Sequence, residues 1–68
     1  MSVAPFDLTA RQLEVLELLA EGLRYSEVAA RLWISTRQVQ RHAAQAVERA
    51  GAVNLCQLVA IAIDRDVI

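Results

Sequence analysis

The sequence predicts an all-α fold of four short helices, and three observations carry that prediction. Only two Gly and one Pro interrupt 68 residues, and the β-branched residues nowhere alternate strictly with polar ones over a strand's length. Leucine, valine and alanine recur instead at intervals of three and four. A capping residue followed three positions later by Gln occurs three times, at Thr9 and Gln12, Ser35 and Gln38, and Asn54 and Gln57. At that spacing the two side chains can satisfy orphan amides of a helix N-terminus.

Residues 1–7, with Pro5, read as a short arm lacking helical periodicity, and residues 8–68 as one domain. The first helix is expected from Ala10 to Glu21. Leu13, Leu16 and Leu19 share its inner face with Val15 and Leu23 nearby, Glu14, Glu17 and Glu21 face water, and Gly22 is the stop. A second helix is expected from about Tyr25 to Leu32, with Val28, Ala29 and Leu32 inward and Glu27 and Arg31 paired one turn apart outside. Arg24 is a poor N-cap, so this helix should fray or be capped from elsewhere. Trp33 and Ile34 form a tight connection, in which Trp33 is expected to plug the junction of the second and third helices and compensate for small alanines. The third helix is expected over about 36–50, with Gly51 beyond it, and two helices joined by about three residues make a helix-turn-helix. The fourth opens after Asn54 and runs to about Asp64 or Asp66.

Size and composition narrow the function. A domain this small buries only about 60 % of its unfolded surface, which leaves little room for an enzyme cleft and favours tight helix packing or oligomerisation. One Cys excludes an internal disulfide, and Cys56 with His42, each the sole residue of its type, cannot complete a structural zinc site. No enzyme, metal or cofactor is expected. His42 lacks a catalytic acid or nucleophile on its helix and is expected to pack or to bond locally. Asp64 and Asp66 around Arg65 read as a solvated end. No apolar run approaches the roughly 18 residues that span a bilayer, and nothing near Met1 has the form of a signal peptide. The expectation is a soluble cytoplasmic protein with no membrane partner. The net charge of -1 weighs mildly against nucleic acid, but all seven basic residues are Arg, whose planar fork suits phosphates and guanine edges.

Winding residues 36–50 at 100° per residue with Val39 inward places Ala43, Ala46 and Ala50 on the core side. The opposite side then carries Arg37, Arg41, Ala44, Gln45 and Glu48, flanked by Gln38 and Gln40. Arg can fork to guanine, Gln can pair with adenine, and Ala lets a helix sit close to a groove.

The order Leu8-Thr9-Ala10-Arg11, Glu14-Val15-Leu16, Leu19-Ala20-Glu21-Gly22-Leu23, Glu27-Val28-Ala29, Arg31-Leu32, Ile34-Ser35, Val39, His42, Gly51 and Leu58-Val59 resembles the DNA-binding domain of the LuxR/GerE family of bacterial transcription regulators. The resemblance runs without gaps from Leu8 to Ile68. It implies a four-helix domain whose third helix enters the major groove of double-stranded DNA and whose fourth mediates dimerisation. Gln38, Gln40, Arg41 and Ala44 match positions where that family meets bases and phosphates, with Arg37 close by and Thr9 near the backbone. The expected DNA-contacting set is Thr9, Thr36, Arg37, Gln38, Gln40, Arg41, Ala44 and Gln45.

Gln40 stands where the family usually has Lys, Leu55 where it usually has Arg, and Ala43, Ala46 and Ala50 where it has bulkier residues. Each lost phosphate contact lowers affinity and flattens salt dependence by about 0.9 in slope, so one protomer should bind weakly, through the N-terminal half of the third helix. On the fourth helix, Leu55, Leu58 and Ala62 can cover the core, while Cys56, Val59, Ala60 and Ile63 leave a second apolar strip, the expected homodimer interface. Cys56 could there meet its symmetry mate. Seven residues precede this region: in a complete chain control would come from abundance or from a protein partner such as a longer regulator or RNA polymerase, and in an excised domain the sensor has been removed. Two rivals stay open: a region-4-like promoter-binding domain of a sigma factor, and an interaction module that has kept the fold and lost the DNA.

Overall fold

The structure, a computed structural model, describes residues 8–66, so the 1–7 arm lies outside the described residues. Four helices follow one another, α1 (Ala10–Ala20), α2 (Tyr25–Leu32), α3 (Thr36–Ala50) and α4 (Leu55–Asp64). Among the described residues there is no strand. Glu21, expected as the last residue of the first helix, is instead its C-cap.

The starts of these helices follow from their caps. Thr9 Oγ1 accepts from the Gln12 amide at 3.1 Å while Gln12 Oε1 accepts from the Thr9 amide at 3.1 Å. Ser35 and Gln38 repeat the reciprocal pair at 3.1 and 2.9 Å. At α4 the reciprocity is shifted by one residue: Asn54 Oδ1 accepts from the Gln57 amide, but Gln57 Oε1 accepts from the amide of Val53. At α2 Arg24 supplies no side-chain cap, and only the return half of the reciprocal pair forms, with Glu27 Oε1 accepting from the Arg24 amide at 2.7 Å. Glu27 therefore turns toward the helix start, and no Glu27–Arg31 ion pair forms. A carboxylate beside unsatisfied amides at the positive end of a helix is the better bargain for that side chain.

Three helices end in the same way. Gly22, Trp33 and Gly51 all have positive φ, of 97°, 59° and 71°, and the amide of the next residue donates back to a carbonyl five residues earlier: Leu23 to Leu18, Ile34 to Ala29, Ala52 to Val47. This is the Schellman pattern, completed by an apolar residue that folds back onto the helix it has left. Leu23, Ile34 and Ala52 each join a core cluster. Glycine takes this left-handed conformation without strain, whereas Trp33 takes it at a cost. Trp33 does not plug the α2–α3 junction: it is 93 % exposed. A left-handed residue at this turn aims its side chain away from the core, and Ile34 takes the inward place instead.

The interior has two parts that share α1 and α3. Val15, Val28, Ala29, Val39 and Ala43 bind α1, α2 and α3 together, and Leu16, Ala46, Leu58 and Ala62 bind α1, α3 and α4. Leu55 packs against both. Leu13, expected inward, is half-buried and belongs to neither part, while Gln12, not expected there, is 4 % exposed. Ala50 and Leu32 border the core as expected, and Ile61 adds an unforeseen apolar contact. No single described helix is long and apolar enough to cross a membrane.

Leu58→Ala should remove about 2–5 kcal/mol from a fold of this size class, seen as a lower urea midpoint. Trp33→Gly should raise the thermal midpoint by relieving about 1 kcal/mol of left-handed strain. A fall would return Trp33 to a packing role.

Candidate nucleic-acid interface

The inner side of α3 is made of Val39, Ala43 and Ala46, all buried, and α3 packs against each of the other three helices. That arrangement leaves one side open. Thr36, Arg37, Gln38, Gln40, Arg41, Ala44, Gln45 and Glu48 are all exposed, so every α3 residue expected to meet DNA lies on the open side. His42 is half-buried on the flank.

Charge is distributed unevenly along this face. Arg37 and Arg41 stand one turn apart, and neither has an ion-pair partner among the described residues. Arg11, by contrast, is paired with Glu14 on α1 at 3.7 Å. The first turn of α3 holds no acidic residue, so the partial positive charge of the helix N-terminus adds to the two guanidinium groups. Glu48 lies seven residues beyond Arg41, about 10 Å along the axis. The positive charge of this face is therefore concentrated in the N-terminal half of α3.

Three of the expected residues are less independent than the sequence implied. Gln38 uses its carbonyl to cap α3. Thr9 and Gln45, 36 positions apart, are joined through Gln12, whose Oε1 accepts from the Thr9 amide and whose Nε2 donates to Gln45 Oε1 at 3.4 Å. Gln12 touches the face from behind, a role that capping alone did not suggest. Its burial was readable, because positions 12, 15, 16 and 19 form one helical stripe. Tyr25 is the other residue missed: with Gln40, Ala44 and Leu55 it lines a shallow recess of about 390 Å³ beside the face.

On α4, the expected strip is only partly outward. Cys56, Ala60 and Ile63 are exposed, with Ile63 56 % exposed, whereas Val59 is half-buried and packs into the α1–α3–α4 core. The α4 helix is wound so that its 58, 59 and 62 positions share the core side. The strip continues onto the end of α1, where Leu19 and Ala20 join it in an apolar recess of about 450 Å³.

A three-residue turn leading from α2 into a longer helix with a polar, arginine-bearing outer face defines a helix-turn-helix domain. The family described as "GerE: Bacterial regulatory proteins, luxR family" matches residues 7–62, and the chain belongs to that family of DNA-binding transcription regulators. Neither a curated protein nor a solved structure gives a match.

Proposed function

We propose that this protein is a sequence-specific, non-enzymatic regulator that lays α3 in the major groove of double-stranded DNA and acts as a homodimer through α4 in the cytoplasm. The observation that carries this reading is the pair of unpartnered guanidinium groups, Arg37 and Arg41, on an exposed helix face that no other helix covers. Arg37 and Arg41 contact phosphates or guanine edges, Thr36 and Thr9 stand near the sugar-phosphate backbone, and Ala44 allows close approach to the groove floor. Gln38, Gln40 and Gln45 complete the face.

A second copy of this chain is the occupant of the apolar recess between α1 and α4. Two copies place two α3 helices on half-sites about one helical turn apart, and they double the few cationic contacts that one protomer makes. The strip Cys56, Ala60 and Ile63 supplies the outward part of this interface, and Val59 supports it from the core side. The same recess also supports a second reading, pairing with a longer regulator, because Gln40 stands where a lysine would strengthen phosphate binding. RNA polymerase is the partner the sigma-factor-like reading requires, and the family match favours the LuxR type over it.

In a titration of duplex DNA at low salt, the wild type should bind, Arg37→Ala and Arg41→Ala should each cost about 1–3 kcal/mol, and a lost phosphate contact should reduce the salt slope by about 1. No binding at tens of micromolar protein would sink the DNA reading. Ile63→Glu should shift a sedimenting dimer to monomer without loss of helicity. It tests the interface more cleanly than a change at Val59, which also packs in the core. A wild type that is monomeric at high concentration, and becomes dimeric only with a longer regulator, would favour the second reading.

A further inference from the structure

Resting on that DNA-reading role, we propose that the outer face of α3 is polarised from within to present hydrogen-bond donors, so that it selects acceptor groups on the duplex and leaves Gln40 as its one amide able to read adenine with both ends.

The polarity starts at a backbone amide. The Thr9 N–H can only donate, and Gln12 Oε1 accepts from it at 3.1 Å. A planar primary amide carries its oxygen and nitrogen on opposite corners, so fixing the Gln12 oxygen on Thr9 aims Nε2 the other way. Gln12 is 4 % exposed and cannot turn to water for an alternative. Its Nε2 meets Gln45, and a donor arriving there selects the Gln45 oxygen, at 3.4 Å. The Gln45 NH₂ group is what remains for the outside. Gln38 reaches the same state by another route, with its Oε1 accepting from the Ser35 amide at 2.9 Å and its NH₂ left over. Arg37 and Arg41 are donors only. Gln40 makes no hydrogen bond among the described residues, so its amide can present either end.

This changes what the glutamines can recognise. Bidentate pairing with adenine needs an amide that offers its oxygen to N6 and its nitrogen to N7, whereas guanine presents two acceptors, O6 and N7. Gln38 and Gln45, whose oxygens are turned toward Ser35 and Gln12, lead with their NH₂ groups and match guanine edges, thymine O4 or phosphate oxygens. The expectation that the glutamines as a set read adenine is thereby narrowed to Gln40.

Gln12→Glu reverses the relay. A carboxylate still accepts from the Thr9 amide but has nothing to donate, so Gln45 turns its NH₂ inward and shows its oxygen. Selection from random duplexes, followed by titration of the selected and a scrambled duplex with the full chain, reads the outcome. The variant should bind the wild-type duplex about fivefold more weakly and select a base pair offering a donor opposite Gln45. Gln12→Met, which adds no charge, should free the Gln45 amide and relax selectivity at that one base pair. Gln45→Met, at an exposed site that leaves the fold intact, should reproduce the fivefold loss, and Gln45→Lys should retain binding. A loss confined to the selected duplex identifies a base edge as the acceptor, and an equal loss on both identifies a phosphate; either supports the donor polarity. If Gln12→Glu and Gln45→Met keep wild-type affinity and the wild-type sequence preference while Arg41→Ala still weakens binding, the polarity is wrong and the DNA role stands. A wild type that binds no duplex overturns both.

Discussion

The packing of the inner face of α3 is the constraint on which the rest of the structure depends. Val39, Ala43 and Ala46 are the points at which α1, α2 and α4 all meet the same helix. Because two of these three are alanine, the neighbouring helices approach the α3 backbone closely, and close approach lets a short chain exclude water from two joined clusters. The same geometry dictates the free surface. A helix packed on one side by three others has only its opposite side left, and in α3 that side carries the arginines and glutamines. Core and interface are two consequences of one helical periodicity.

A chain with little apolar volume has to place each helix accurately, and its polar side chains do much of that placing. α1, α3 and α4 each begin on a side-chain cap from the residue before the helix, α2 has the Glu27–Arg24 bond alone, and α1, α2 and α3 each close by turning an apolar residue back onto the core. Those ends matter to function because the turn between α2 and α3 sets the angle at which α3 is presented. Trp33 is the exception, a bulky residue held in a conformation that glycine occupies at the two equivalent ends. The cost is small beside that of losing the turn, since the backfolding bond from Ile34 and the burial of Ile34 both depend on it.

The family match and the geometry bear on different levels. Membership of the LuxR-type regulators accounts for the four-helix order and for DNA binding as the general activity. Within that frame this chain is short of positive charge: Gln40 and Leu55 stand where cations are usual. In the DNA complex proposed above, Arg37 and Arg41 would bear most of the electrostatic attraction, and a second protomer would be the physical route to useful affinity, because counterion release scales with the number of phosphates neutralised.

Much of this was legible before any coordinates. The bounds of α2 and α3, the end of α1 to within one residue, the inward row on α3 and the exposure of its expected contact residues all follow from local rules. Capping chemistry acts over three residues and helical periodicity over four, so both are written in neighbouring letters. Four features were not: the outward Trp33, the Glu27 side chain turned to Arg24, the part of Val59 packed in the core, and the relay from Thr9 through Gln12 to Gln45. The last two depend on what a side chain meets once helices distant in sequence are side by side, whereas Trp33 follows from the left-handed turn it occupies and Glu27 from a choice between two near partners, Arg24 and Arg31. The sequence alone determined that this protein is four helices with an arginine-bearing third face. Only the tertiary structure decided which way the Gln45 amide points, because the donor that orients it lies 33 residues away on another helix.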